Sequence, residues 1–323
     1  MRELGTVPNL TIGLPVYNGE NYLAESVEAL LGQSYEDFEL IISDNASTDS
    51  TADICRRYEK LDSRIRYVCQ PRNLGSAVNH NYLVGEARGQ LFKWASHDDL
   101  YARDLLKRCI AALEEYPQVV LAHSWSALID SSGALTNVVD YPVATAAPRA
   151  PDRFCSMLFD GWGDDTGGVI RTHVLRRTRL HGSYHLADRT ITTELALHGP
   201  FYQVPEWLYF RRDHPQMAER AYPTVRSRCA NLDPRRADRL RHPAARLYAE
   251  YLWGYIAAIR SAPLQPAERL ECYRYLARWA AGRALPITGR ALTRRGLEVD
   301  DRASDAQPVI PINALVAGRE RTQ

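Results

Sequence analysis

The sequence predicts an α/β protein, with a mostly parallel central sheet flanked by helices and a helical C-terminal extension. Two observations carry this. Over the first 125 residues, short apolar and β-branched runs alternate with segments of helical periodicity. Such alternation argues for parallel strands covered on both faces, because each crossover helix has to lie on the sheet. From about residue 217 the character shifts: arginine becomes dense, and two long helical patterns begin at prolines. The expected division is 1–215 and 216–323.

The elements follow in order. LTIGLPV (10–16) is the first strand, and Leu23, Val27, Leu30 and Leu31 share one face of a helix expected over 20–33. FELIISD (38–44) is the second strand, and Thr48, Asp49 and Ser50 can cap a helix running to about Lys60. RIRYVC (64–69) is the third strand, followed by a helix over 76–87. QLFKWAS (90–96) is the fourth strand, and Leu105, Cys109, Ala112 and Leu113 mark the next helix. QVVLAHSW (118–125) is the fifth strand. Residues 131–165 mix Gly, Pro, Ala and acids and read as an irregular connection or acceptor-side insertion. Ordered structure is expected again over 166–215, and the tail after about 298 is expected to be poorly ordered.

Composition narrows the function. Hydrophobic residues are 45% and the formal charge is +1, so no global field argues for nucleic acid. The start lacks the basic residues and long apolar run of a signal peptide, and no apolar run reaches the roughly 18 residues of a membrane span. A cytoplasmic protein is expected, with peripheral contact at the inner membrane face left open. Cys55, Cys69, Cys109, Cys155, Cys229 and Cys272 are scattered without a CxxC and read as buried free thiols.

In open parallel sheets ligands sit at the carboxyl ends of the strands, so the loops there are searched first. After the first strand stand Tyr17, with a flat face, and Asn18, an amide or helix cap. After the second stand Asp44 and Asn45, and the Asn45 amide can both accept from an imide N–H and donate to a carbonyl, which suits a pyrimidine edge. After the third, Arg72 can face phosphate or base, and Gly75 permits close backbone approach. Neither GxGxxG nor GxxxxGK[ST] occurs, which argues against dinucleotide and P-loop sites.

After the fourth strand, WASHDDL (94–100) places two carboxylates side by side, Asp98 and Asp99. Alone, such a pair reads as an exposed turn. In register with three other polar strand ends, hard carboxylate oxygens suit Mg²⁺ or Mn²⁺ completed by substrate phosphates. Further on, Asp188 opens a helical pattern and is a candidate general base, with Glu194 in reserve. In FRRDHP (210–215), Arg211, Arg212 and His214 can meet a diphosphate. A metal pair at His181 and His185 is disfavoured, because Gly182 and Ser183 oppose the helix it needs.

Three stretches together resemble family 2 glycosyltransferases, the inverting group with the Rossmann-like GT-A fold: TIGLPVYNGENYLAESVEALLGQSYEDFELIISDNASTDST, NLGSAVNHNYLVGEARGQLFKWASHDDL, and ADRTITTELALHG with RRDHP. The resemblance spans roughly residues 8–215. It implies a nucleotide-sugar-binding catalytic domain there. Pro15, Tyr17 and Asn45 would form the nucleobase pocket, with Asp44 beside it. Asn73 and Gly75 would belong to the nucleotide-side loop, and Asp98 and Asp99 to the metal motif. Asp188 falls at the acid of the usual Glu-Asp pair, the expected base, and Arg212 and His214 at the Arg-x-His element near the diphosphate. Three positions depart from the pattern: Ser96 replaces an acid, Asn45 a frequent Asp, and Ala187 the usual Glu. These put the metal ligation, the choice among UDP-, dTDP- and GDP-linked donors, and the base in doubt. The Gln-x-x-Arg-Trp motif of processive synthases is absent, which favours a single addition.

The expectation is therefore metal-dependent sugar transfer, with inversion, to an acceptor hydroxyl on a saccharide, a lipid-linked molecule or a small molecule. Two rivals stand beside it. A sugar nucleotidyltransferase would need a glycine- and lysine-rich start that LPVYNGENYL does not supply. A non-catalytic nucleotide-sugar-binding protein is allowed by Ser96 and Ala187. The extension could cap the acceptor site, form a homodimer, or touch a membrane through LYAEYLWGYIAAIR, which is aromatic-rich with a basic end.

Overall fold

The computed structural model describes residues 7–139, 141–160, 165–184 and 186–284. The expectation for the tail after residue 298 lies outside them. The first four expected strands appear as β1 (Leu10–Val16), β2 (Phe38–Asp44), β3 (Ile65–Cys69) and β4 (Leu91–Trp94). Between them run α1 (Leu23–Leu31), α2 (Thr51–Leu61) and α3 (Ser76–Glu86). A two-residue strand, β5 (Leu100–Tyr101), follows β4 directly, then α4 (Leu105–Glu115) and β6 (Leu121–Ile129). The next elements are β7 (Leu135–Val139), α5 (Ala150–Phe159), β8 (Val169–Arg171), α6 (Thr172–Leu175), α7 (Ala187–His198) and β9 (Phe201–Arg212). The extension contains α8 (Ala218–Ala221), α9 (Val225–Leu232), α10 (Ala244–Ser261) and α11 (Pro266–Ala284).

The strand order is β3-β2-β1-β4-β8-β6-β9-β5, with β7 paired to β6. The first four strands are parallel, and so are β6 and β9. In contrast, β8 runs antiparallel to both its neighbours, as do β5 against β9 and β7 against β6. The parallel expectation therefore describes β1 to β4, and the rest of the sheet is mixed.

Side-chain alternation shows why these runs are strands. Leu40 and Ile42 of β2 enter the cluster packed under α1, α2 and α4, while Ile41 enters the opposite cluster with Leu83 and Val84 of α3. Both faces of the strand are buried, as its continuous apolar sequence requires. Each such Leu or Ile contributes about 1.5–3 kcal/mol by leaving water. Helix α3 lies very close to β1. A side chain at Gly13 would come within 2.9 Å of Leu83 Cβ and of the Phe92 ring.

Three expectations need correction. The stretch 131–165 is more regular than expected, since β7 and α5 lie within it. The fifth strand begins at Leu121 rather than 118 and runs on to Ile129, because it pairs with β9 along nearly its whole length. All six cysteines are free, but Cys69 is exposed and Cys155 only partly buried.

Helix α10 packs on α7, and α11 on α5 and α10. A third apolar cluster, built on Phe154, Tyr251, Tyr255, Leu276 and Trp279, joins them. No helix among the described residues is long and apolar enough to cross a membrane.

Candidate functional site

Register brings the candidate residues together. Val16 lies opposite Asp44 at the ends of β1 and β2, and the Asn45 backbone N–H donates to Val16 O at 2.8 Å. Asp44 is fully buried: Oδ1 accepts from Ser47 N at 2.8 Å and Oδ2 from the Tyr67 hydroxyl at 2.9 Å. The Asn45 side chain donates to Asn73 Oδ1 at 3.0 Å and accepts from Leu74 N at 2.8 Å. Asn73 Oδ1 also accepts from Gly75 N at 2.9 Å. Asn45 thus ties the second strand end to the third rather than standing free. Of the nucleobase candidates, Tyr17 is the open one, 39% exposed, with Pro15 half-buried behind it.

Gly75 has φ +89°, and the backbone approaching it is that of Leu232, whose carbonyl oxygen would lie 2.4 Å from an added Cβ. The end of α9 therefore closes over the loop that holds Asn73 and Gly75.

The acids at the end of β4 part company. Strand β5 pairs Leu100 with Phe210, antiparallel to β9, so the chain entering β5 faces the chain leaving β9. Asp99 is buried, its Oδ1 accepting from Arg212 N at 2.9 Å and its Oδ2 from the Tyr209 hydroxyl. Asp98 is more open. Its Oδ2 lies 3.0 Å from His214 Nε2, and its Oδ1 accepts from the Ser96 hydroxyl. Burial works to raise the Asp98 carboxyl, but the neighbouring His97 and the bonds from His214 and Ser96 outweigh it and hold it well below the usual range. Ser96, standing where an acid is more usual, is a donor to Asp98. The loop itself is clamped by Ser26 Oγ and the Tyr101 hydroxyl, both donating to Ser96 O at 2.7 and 3.0 Å.

Arg212 is almost completely buried. Its Nε donates to Asp98 O at 2.8 Å, its Nη1 to Ser131 O at 3.2 Å, and its Nη2 to Glu25 at 2.8 Å. It also stacks over Tyr22 at 4.5 Å, and Tyr22 meets the His214 ring edge-on at 4.9 Å. Arg212 therefore positions the acidic loop, and His214 faces Asp98. Lys93, which the sequence did not single out, is fully buried, lies 5.0 and 5.6 Å from the Tyr101 and Tyr209 ring centroids, and donates to Gly167 O. Burial pushes it down to about 8.

Asp188 sits in the first turn of α7 and is exposed. The preceding loop crosses the end of β4, with the His181 ring 4.9 Å from Trp94 and 5.0 Å from His80. Glu194 lies on the inner face of the same helix, 1% exposed, accepting from Arg179 N and Ser261 Oγ, both at 3.1 Å. Burial raises its pKa. His181 is not in a helix, and His185 lies outside the described residues.

Among the described residues no cluster of three acidic, His or Cys side chains could hold a divalent cation. The fit is narrower: the hard Asp98 carboxylate beside the borderline His214 imidazole, a pair that leaves the remaining positions to substrate oxygens and water.

Residues 11–141 match the model described as glycosyl transferase family 2. The chain is 35% identical over 108 residues to TuaG of Bacillus subtilis (strain 168), named for teichuronic acid biosynthesis, covering 33% of this chain and 43% of that one. The chain thus spans less than half the length of that curated relative. The structure is similar to that of S. aureus TarS 1-349 in complex with UDP, with a TM-score of 0.52, 16% identity, and coverage of 84% and 89% of the two chains. It is also similar to mannosyltransferase PcManGT from Pyrobaculum calidifontis in complex with GDP-Man and Mn²⁺, with a TM-score of 0.50, 18% identity, and coverage of 87% and 78%. At these identities the structural likenesses carry the fold alone, which is GT-A.

Proposed function

We propose that the protein moves one sugar from a nucleoside-diphosphate sugar to an acceptor hydroxyl, with inversion at the anomeric carbon and dependence on Mg²⁺ or Mn²⁺, a reading supported by the match of residues 11–141 to glycosyl transferase family 2. The observation that carries the reading is Asp98 facing His214 at 3.0 Å where β4 and β9 end together. UDP and GDP-Man in the two similar structures support a nucleotide-linked donor, and the Mn²⁺ in one supports the metal.

In this reading Tyr17 and Pro15 receive the base, and the Asn45–Asn73 bridge holds the adjoining loop in shape. Asp98 and His214 would hold the divalent cation, which supplies charge stabilisation for the departing diphosphate. Asp99 and Arg212 act one step back, fixing the loop that aims Asp98. Asp188 takes the proton from the acceptor hydroxyl as its oxygen attacks the anomeric carbon. Its exposed place at the head of α7 favours it over Glu194, whose two oxygens serve Arg179 and Ser261 inside the protein.

A thermal-shift screen of UDP-, dTDP- and GDP-sugars, each with and without Mn²⁺, tests donor, metal and class together. A metal-dependent shift with one nucleotide series is expected. A triphosphate that shifts the protein and yields pyrophosphate with a sugar phosphate would move the reading to a nucleotidyltransferase.

A further inference from the structure

Helix α10 buries one side on α7 and α11, through Leu247, Tyr251, Tyr255, Ala258 and Ile259. Its other side is also apolar. At about 100° per residue, Tyr248, Leu252, Ile256, Ala249 and Trp253 fall within one arc of about 140°, which closes toward the C-terminal end, where Ile259 falls in the same arc and is buried. Tyr248 and Trp253 are 55% and 51% exposed, whereas Leu252 and Ile256 are only partly exposed and also pack against the third apolar cluster. Exposed Arg260 and Arg246 lie within and beside this arc. The turn leading into the helix adds Leu240, 94% exposed between the exposed Arg239 and Arg241. That turn is joined to the helix by Arg246 Nη1 donating to Arg241 O at 2.8 Å.

We propose that the outer face of α10, with the Arg239-Leu240-Arg241 turn, docks the protein on an anionic lipid bilayer. Charge selects this occupant. The described extension, residues 216–284, holds thirteen arginines, no lysine and six acids, net +7, although the whole chain is only +1. The excess lies in the segment that carries the apolar face, with Arg239 and Arg260 exposed on or near it, while Arg241 pairs with Asp238 and Arg246 with Glu250. Tyr and Trp side chains bury a ring and keep a polar edge wet, and arginine stems reach from an apolar surface to headgroup phosphate, so this composition fits a bilayer interface. A second copy fits worse, because a two-fold contact would bring the same arginines against one another. The helix has a definite orientation on the fold. Gly254 lies against Thr190, and Ser261 bonds Glu194, so α10 runs alongside α7 in the same direction. The apolar half of the face, from Tyr248 to Trp253, consequently lies toward the end of α7 that carries Asp188.

Vesicle sedimentation of the full chain tests the proposal. Phosphatidylcholine vesicles containing phosphatidylglycerol should carry the protein down about tenfold better than phosphatidylcholine alone, and added salt should release it. Tyr248→Ser with Trp253→Ser should lose this binding by a similar factor while keeping the donor-induced thermal shift. Absence of wild-type binding, or binding undiminished in the double variant, overturns the proposal. So does a wild-type dimer, seen by light scattering, that the same substitutions convert to a monomer. Vesicle binding without any donor-induced shift would leave the docking standing and sink the transfer reading.

Discussion

Asp98 and Asp99 are adjacent, chemically identical and indistinguishable by sequence, yet they have different work. The difference is set by β5, which turns Asp99 inward onto Tyr209 and the Arg212 N–H and leaves Asp98 beside His214. A two-residue strand has too little pattern to read, so the sequence could locate the acidic pair but not divide it. Asp98→Asn should lower transfer about 10²-fold or more at saturating donor and metal, and should weaken the Mn²⁺ dependence of the donor-induced thermal shift. Retention of both would remove Asp98 from the metal site. The two candidate bases separate in the same manner. Asp188→Asn should keep donor binding and lose transfer about 10²-fold, whereas Glu194→Gln should keep both. Stability gives Glu194 a second readout. Burial raises its folded pKa above the ordinary 4.5, so its contribution is present below that value and is lost as pH rises through the raised one. Glu194→Gln should therefore unfold at an equal or higher temperature than the parent under alkaline conditions. Normal transfer by Asp188→Asn, with loss in Glu194→Gln, would reverse the assignment.

At the scale of elements, β1 to β4 and α1 to α4 were legible because apolar strand runs alternate with helical spacing along the chain itself. The elements that escaped were those whose identity depends on a partner. Strand β7 is short and exposed, and it exists by pairing with β6 across the turn at Asp130, where Gly133 takes φ +85° and Asp130 Oδ1 accepts from Ser132 N and Ala134 N. The DSSG sequence was the available signal for that hairpin. Helix α9 escaped because its neighbours are remote: its end lies on Gly75, more than 150 residues earlier in the chain. Gly75 suggested close approach by a ligand, and the element that approaches is part of the protein. Gly75→Ala tests this contact. The residue would be forced to keep a conformation costing about 1–3 kcal/mol for a side chain, with its Cβ 2.4 Å from the Leu232 carbonyl, which as backbone cannot swing aside. The melting temperature should drop by several degrees, and the donor-induced shift should shrink because Asn73 and Gly75 share a hydrogen bond in that loop. An unchanged donor response in a destabilised protein would make α9 a purely structural cover.

Over the whole molecule, near-neutral composition conceals two segregations, and neither is readable from totals. One is the arginine-rich extension. The other is a set of histidines packed against the protein's own rings and backbone, buried His123 and partly exposed His181 among them, of which desolvation depresses His123 to about 4 and His181 to about 3. Sequence reading could weigh His181 only as a ligand with His185, because nothing local announces that the loop before α7 is pressed against Trp94 and His80. The physical consequence is an acid limb in stability. An unfolded chain binds these protons near the ordinary value of 6.5, while the folded chain refuses them until far lower pH. Between those values the unfolded state holds more protons, so stability is fully present above 6.5 and is lost progressively as pH falls toward about 3. Each such histidine contributes a slope of about 1.4 kcal/mol per pH unit within its window. His181→Phe keeps an aromatic ring against Trp94 and removes the proton. Urea unfolding followed from about pH 7 to about pH 4 should then show the slope reduced by close to one proton. An unchanged slope would mean that His181 is already protonated in the folded protein, and that its loop opens to water more readily than the packing against β4 implies.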